Sequence, residues 1–375
     1  MLKGINLTLM IGPAVPVPVS EDVINALTSV EVTTTSGQAS GFSLGFTLSN
    51  KSPLHTILLL TSAVNVPFVR VVIVVTVNGQ QQVLMDGMMT SHQISTDVNT
   101  GHSTLTVMGE DLSVAMSYID FSGIPYPAMP REVRVALVIA KYALFGVVPL
   151  VIPSVMIDMP LPTSRIYRHQ GNDLEYVKRL AAEVGYVFYV DPGPEPGMSI
   201  AYWGPLIKVG SPQPALNVNM DAHTNVESLN FSFDKNKNKL PIVMIQNEQT
   251  NIPIPIPIPS ITPFSPPLGA IPPLSLGIKR ITETARLTPI QGILIGMAKA
   301  AQYSEGVGAN GSLDVLRYGR VLKARQLVGL RGAGTAFDGL YYVSSVKHRI
   351  KRGEYKQEFQ LTRNGLVSTV GTVPV

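Results

Sequence analysis

A β-rich α+β fold is predicted by three features of this 375-residue sequence. Val- and Thr-rich runs of strand length recur between clusters of Gly, Asn, Ser and Pro. One capped amphipathic helix near residues 173–184 runs directly into an alternating aromatic strand. The chain then closes on a long β-hairpin.

Residues 20–125 read as strands, with EVTTTSG, SGFSLGFTLS and FVRVVIVVTVNGQQQVLMDG as the clearest runs. Asn78-Gly79 gives a type I′ hairpin turn. Val71–Val77 is apolar on both faces, so that strand is predicted to be covered on both sides. DLSVAMSYIDF begins a more helical stretch, and Glu110-Asp111 sits at its start, where acids favour the helix dipole. Residues 133–151 are nearly long enough to span a membrane. Lys141, Gly146 and Pro149 interrupt them, so a buried or interface helix from Glu132 to about Phe145 followed by a strand is predicted, without membrane insertion. At the N-terminus, Pro13, Pro16 and Pro18 break the apolar run that a signal peptide needs.

Tyr167–Val190 is the best-specified segment. Asn172 is a natural N-cap and Glu175 completes the capping-box spacing. Leu174, Val177, Leu180 and Val184 share one helical face, Gly185 ends the helix, and Tyr186, Phe188 and Val190 alternate along a strand. Strands return over residues 215–250. Asn251–Pro273 holds nine prolines in 23 positions, and its strict Ile-Pro alternation predicts polyproline II rather than sheet. Linkers seldom carry so many apolar residues, so a strap packed on a partner through Ile254, Ile256 and Ile258 is favoured over an exposed linker. A helix near Pro289–Tyr303 and strands through RYGRVLKARQLVGLRG lead to the terminal hairpin, YYVSSVKHRI and EYKQEFQLTR around Lys351-Arg352-Gly353.

Composition narrows the function. Only 14% of residues are charged, Gly (32) and Pro (30) are abundant, and the 375 residues exceed a typical single core. Such a chain suits β domains whose surfaces are covered by partners. With no Cys, disulfide and thiolate chemistry are excluded. His55, His92, His102, His169, His223 and His348 show no metal-ligand spacing. Residues 306–311 match GxGxxG literally, but a helix is predicted before them and the acids downstream fall at the wrong spacing, so a flexible turn is favoured. No acid–base pair can be assembled. The sequence therefore offers no catalytic set, metal ligands or cofactor site.

The segment GNDLEYVKRLAAEVGYVFYV resembles the signature helix-strand of baseplate hub proteins of contractile tails. That family includes phage late control D proteins and the N-terminal half of type VI secretion spike proteins. YYVSSVKHRIKRGEYKQEFQLTRNG is similar to the hairpin closing their second tube-like domain, and LTVMGEDLSVAM resembles a junction in their first. The resemblance implies two tube-protein-like β-barrel or sandwich domains plus a small α/β insert. The first β domain would span 1–158 with 206–240, the insert 159–205, a Pro-rich strap or linker 241–278, and the second β domain 279–375. It further implies a structural, non-enzymatic hub that assembles in the bacterial cytoplasm as part of a phage tail or injection-particle baseplate. The hub would be a homotrimeric pseudo-sixfold ring joining the hexameric inner tube to a trimeric spike and contacting other baseplate components. The sequence stops soon after the final hairpin, so the spike is expected on a separate chain.

Charge is unevenly placed. Residues 279–363 carry 15 Lys+Arg against 6 Asp+Glu, and the remainder carries 14 against 19. Complementary contacts between ring neighbours, through Arg317, Arg320, Lys323 and Arg325 on exposed strand faces, are favoured over a merely solvated face. Nucleic acid is disfavoured as a partner, except as cargo, because no recognition motif accompanies the charge. His348, between Lys347 and Arg349, is read as part of a solvated strand face. The alternatives are a tail-associated wall-degrading enzyme and a nucleic-acid-binding protein using the basic C-terminal domain.

Overall fold

A computed structural model describes residues 4–13, 15–48, 68–97, 102–154, 166–234, 239–246, 252–259, 266–272, 277–281, 289–300 and 305–370. Its first strands are β1 (Ile5–Gly12), β2 (Val17–Pro18), β3 (Leu27–Thr35), β4 (Gly41–Leu48), β5 (Arg70–Val77), β6 (Gln80–Asp97) and β7 (His102–Asp111). The middle of the chain adds β8 (Pro125–Tyr126), β9 (Val147–Val151), β10 (Tyr167–Arg168), β11 (Val187–Pro192), β12 (Ser199–Gly204), β13 (Gln213–Asn217) and β14 (Ser228–Phe233). Beyond these lie β15 (Lys239–Gln246), β16 (Pro253–Pro257), β17 (Gly269–Ile271), β18 (Gly277–Ile281), β19 (Val307–Asp314), β20 (Leu327–Arg331), β21 (Gly339–Lys351), β22 (Glu354–Arg363) and β23 (Leu366–Ser368). The protein is β-rich, as its sequence predicts.

Among the described residues, one mainly antiparallel 13-stranded sheet dominates, in the order β14-β19-β22-β21-β3-β4-β7-β6-β5-β1-β2, with β20 and β13 branching from β21. The N- and C-terminal halves join where β21 pairs with β3, Ile350 opposite Val30 and Val346 opposite Thr34. A bulge between Val343 and Ser345 marks the point where β21 changes partner from β20 to β3. There the Val343 carbonyl accepts from the Arg325 amide and the Ser344 carbonyl from the Ser36 amide. One apolar core runs beneath both halves, taking Val32, Leu44 and Ile73 from one and Val328, Tyr341, Val346 and Phe359 from the other.

The local expectations fare unequally. Asn78 (φ 48°) and Gly79 (φ 81°) form the expected turn, pairing Val77 with Gln80. β5 is buried on both faces, with Val71, Ile73, Val75 and Val77 in the main core and Val72 and Val74 against Val83. The Asp173–Glu183 helix is capped by Asn172, whose side chain accepts from the Glu175 amide at 2.9 Å. Val177, Leu180 and Val184 are buried and Leu174 packs against the same core. Gly185 has φ 73°, and a Cβ there would come within 2.7 Å of Ala298 Cβ on the Pro289–Ala300 helix.

Several expectations are corrected. The helix from Glu132 ends at Ala140 and a separate 3-10 turn covers Ala143–Phe145. Both elements lie with the small α/β module, because β9 pairs in parallel with β12. Residues 213–233 pair with β20 and β19, not with strands of the first 110 residues. The GxGxxG stretch is strand β19, not a turn. Gly311 lets β14 and Phe359 approach, since a Cβ would meet the Ser228 carbonyl at 2.5 Å and the Phe359 ring at 2.6 Å.

The Ile-Pro run is also a strand. β16 pairs antiparallel with β15, Ile254 opposite Ile245 and Ile256 opposite Val243. The Ile258 amide donates to the Pro241 carbonyl at 2.9 Å. N–H directions alternate along a strand, so Ile254 and Ile256 also face β15 while the proline nitrogens face the open edge. Alternation thus places every missing donor where no partner strand needs one.

Candidate assembly site

The grouping most like a catalytic relay is Tyr126–His169–Asp173. Tyr126 Oη lies 3.0 Å from His169 Nδ1, and His169 Nε2 lies 3.4 Å from Asp173 Oδ1. Lys141 Nζ donates to Asp173 Oδ1 at 2.9 Å and Tyr142 Oη donates to Asp173 Oδ2 at 2.8 Å. All three members of the relay are buried, and the Tyr176 ring covers the imidazole at 4.1 Å. Burial holds the His169 pKa below its ordinary value, opposed by Asp173. The buried group fastens β8 to the Asp173–Glu183 helix. Among the described residues no group of three or more His, Asp or Glu could hold a metal ion. None of the described helices is long and apolar enough to cross a membrane.

Buried charge concentrates instead where the α/β module meets the sheet. Arg70 forms a two-pronged pair with Asp86, both bonds 2.7 Å, and donates to the Gly197 carbonyl at 2.9 Å. Ser199 Oγ donates to Asp86 Oδ2 at 3.3 Å. Arg325, from the C-terminal half, pairs with Asp191 of β11, lies 4.1 Å over the Tyr189 ring and donates to the Thr35 carbonyl at 2.9 Å. It therefore ties together all three parts of the chain. Burial raises the Asp191 pKa, while Arg325 opposes the rise. Asp191 left no signal in the sequence because its partner lies 134 residues away, and Tyr189 none because the same distant guanidinium covers it. Arg70 and Asp86 did leave a signal, as lone charges inside an apolar run.

The four basic residues proposed as contacts do not form a strand face. Arg317 belongs to the short Val315–Tyr318 helix, and Arg320, Lys323 and Arg325 lie in the turns after it. Arg325 is not available to a neighbour, because its guanidinium is consumed within the chain. Arg317, Arg320 and Lys323 are exposed. The hairpin cations differ again. Lys347 pairs with Glu31 at 2.7 Å across the β21–β3 seam, and Lys356 pairs with Glu227 at 3.1 Å. Arg349 reaches both Glu31 and Glu358. Much of the charge complementarity between the halves is thus satisfied inside one chain.

His348 is not on a solvated face. It is buried, its Nδ1 lies 2.8 Å from Tyr355 Oη, and burial lowers its pKa to about 3. Ile254 is 44% exposed, Ile256 half-buried and Ile258 buried in a core with Val243, Ile245 and Ile281. Only Ile254 of the three offers much surface to a partner.

Arg320 and Lys323 line a groove of about 630 Å³ together with Gln80, Gln81, Pro212 and Gln326. Its walls are braced. The Gln213 side chain both donates to the Lys323 carbonyl and accepts from the Lys323 amide, each at 2.8 Å. Tyr318 Oη donates to the Pro214 carbonyl at 2.7 Å, and Asn78 Nδ2 to the Gly319 carbonyl at 3.1 Å.

No protein-family model matches the chain, and no curated protein matches it in sequence. Solved structures do. The tail protein from Neisseria meningitidis MC58 superposes with a TM-score of 0.63 at 13% identity, covering 97% of this chain and 98% of that one. The 43 kDa tail protein of prophage MuSo2 from Shewanella oneidensis gives 0.62 at 12% identity, over 96% and 98%. A chain of the Francisella PdpA–VgrG complex gives 0.62 at 10% identity, over 100% of this chain and 55% of that one. Over nearly its whole length, this chain has the fold of these tail proteins and of the PdpA–VgrG complex chain.

Proposed function

We propose that this chain is the structural hub of a contractile phage tail or contractile injection system. Three copies form a pseudo-sixfold ring that joins the hexameric inner tube to a trimeric spike and contacts other baseplate components. The observation that carries the reading is likeness to two tail proteins, one of them from a prophage, over nearly the whole length of both partners. Likeness to a chain of the PdpA–VgrG complex supports a spike as neighbour.

The two β halves share a core and meet along β21–β3, and in this proposal each half is one tube-like part. Three copies present six comparable surfaces, which matches a threefold spike to a sixfold tube. The division into a first β domain, an α/β insert, a Pro-rich strap and a second β domain belongs to this proposal, as does assembly in the bacterial cytoplasm. The chain acts by binding rather than by chemistry, needs no cofactor and does not insert in a membrane.

Coexpression with candidate tube and spike proteins from the same genome tests the reading. A complex with both proteins, seen as a threefold ring by electron microscopy, is the expected result. Failure to bind either one would overturn it.

A further inference from the structure

We propose that the Arg320–Lys323 groove receives the Val15–Asp22 segment of a second copy of this chain, an inference that rests on the hub reading above. Three observations on the groove lead to it. Its walls are preformed by the Gln213, Tyr318 and Asn78 hydrogen bonds, so little ordering is lost on binding. Its volume falls in the range, roughly 300–1,000 Å³, of preformed binding clefts. Arg320 and Lys323 make no ion pair among the described residues, whereas Lys347, Arg349 and Lys356 of the neighbouring hairpin all do. The groove therefore presents unspent positive charge, with Pro212, Pro214 and Val321 as apolar floor.

The matching surface lies on the same chain. Val15 is 76% and Val17 59% exposed, and Glu21 and Asp22 are exposed without an ion pair among the described residues. Val17–Pro18 forms β2, the last strand of the large sheet, and among the described residues it pairs with Met10–Ile11 alone. The segment is extended from Val15 to Ser20 and apolar at its start, and its acids Glu21 and Asp22 open the short Glu21–Ala26 helix, so it complements a groove with apolar and basic linings.

Position decides between contact within a copy and contact between copies. The groove abuts Val77, which pairs with Ile5 at one end of β1, whereas Val17 pairs with Ile11 at the other end. Six residues of strand separate them by about 20 Å. The chain then runs back beside β1, the Val19 amide bonding the Leu9 carbonyl, yet within one copy none of residues 15–22 lines the groove, and among the described residues neither Glu21 nor Asp22 pairs with Arg320 or Lys323. Between copies the segment and the groove make a head-to-tail contact, the kind that repeats and closes into a ring.

The test uses the full chain and charge exchange, read by native mass spectrometry and sedimentation at low salt. Arg320→Glu with Lys323→Glu should weaken self-association at least tenfold, and Glu21→Lys with Asp22→Lys should do the same. Mixing the two variants, or combining all four changes in one chain, should restore association to within a few-fold of the unchanged protein. Because the chain has no Cys, Val17→Cys with Gln81→Cys adds a second readout, an interchain disulfide on oxidation. Unchanged association in both reversals, or no restoration together with no interchain disulfide, would overturn the proposal. A trimer indifferent to all four substitutions would leave the hub reading standing and remove only this one. If the reversals abolish binding of the tube or spike protein but not self-association, the groove serves another partner and the proposal also fails.

Discussion

Arg325 and Asp191, 134 residues apart, form an ion pair at the point where both β halves and the α/β module meet. Arg325 also has a left-handed backbone, φ 63°, held by the bond from its amide to Val343. The residue is committed to the architecture of one subunit rather than to a neighbour.

Arg325→Met should therefore destabilise the monomer. Breaking a wholly buried pair costs about 3–5 kcal/mol. The Asp191 side chain is 34% exposed, and solvent there lowers the expected loss to about 2 kcal/mol. Urea unfolding of the single variants and of Arg325→Met with Asp191→Asn should show coupling between the two sites. Additive losses would mean that the pair contributes nothing.

Leu180 is buried against Tyr176, Val177 and Phe188. Leu180→Ala should cost about 2–5 kcal/mol. Trp203, the only tryptophan, lies in the same core, with Nε1 donating to the Val177 carbonyl at 3.3 Å, so its fluorescence reports that unfolding directly. Leu180→Asp should abolish soluble expression, because a charge would be buried without a partner. A variant that folds normally and loses only assembly would place this helix at an interface instead.

His348 carries a pH prediction. Its pKa in the native chain falls to about 3, against an ordinary value near 6.5. Between those values the unfolded chain binds a proton that the native chain excludes. Stability contributed by the neutral imidazole is therefore complete above about pH 6.5 and is lost as pH falls towards 3. The slope is at most about 1.4 kcal/mol per pH unit. His348→Phe should remove that slope, so the two unfolding curves should converge as pH falls from about 6.5 to 4.5. Parallel pH profiles for the two proteins would show that His348 is solvated after all.

Gly311→Ala tests the glycines of the 306–311 run. The added methyl would meet the Ser228 carbonyl and the Phe359 ring, forcing β14 from β19. A loss of about 1–3 kcal/mol in thermal or urea unfolding is expected. A neutral substitution would return the stretch to the flexible turn that the sequence suggests.

Local rules made much of the fold legible. The Asn172 cap, the Gly185 stop and the Asn78-Gly79 turn each follow from residues within a few positions, and each is present. What was hidden depends on partners distant in sequence. His348 looks solvated between Lys347 and Arg349, yet it alternates to the opposite face of β21 and packs on Tyr355. The Ile-Pro run looks incapable of sheet until β15 is placed beside it, since only one edge of β16 must donate. The Arg317–Arg325 stretch reads as strand by composition, but Gly319, with φ 80°, ends a one-turn helix there. Much of the fold was thus readable through these local elements. Of the candidate site only Arg320 and Lys323 were legible, as part of a basic stretch; the groove they line was not, because contacts between distant segments make it.

The mass of the purified chain under native conditions tests the central claim most directly. With a 40.4 kDa subunit, the account predicts a trimer at micromolar concentration, alone or when the spike protein is added. A monomer that stays a monomer with the spike protein present would contradict it.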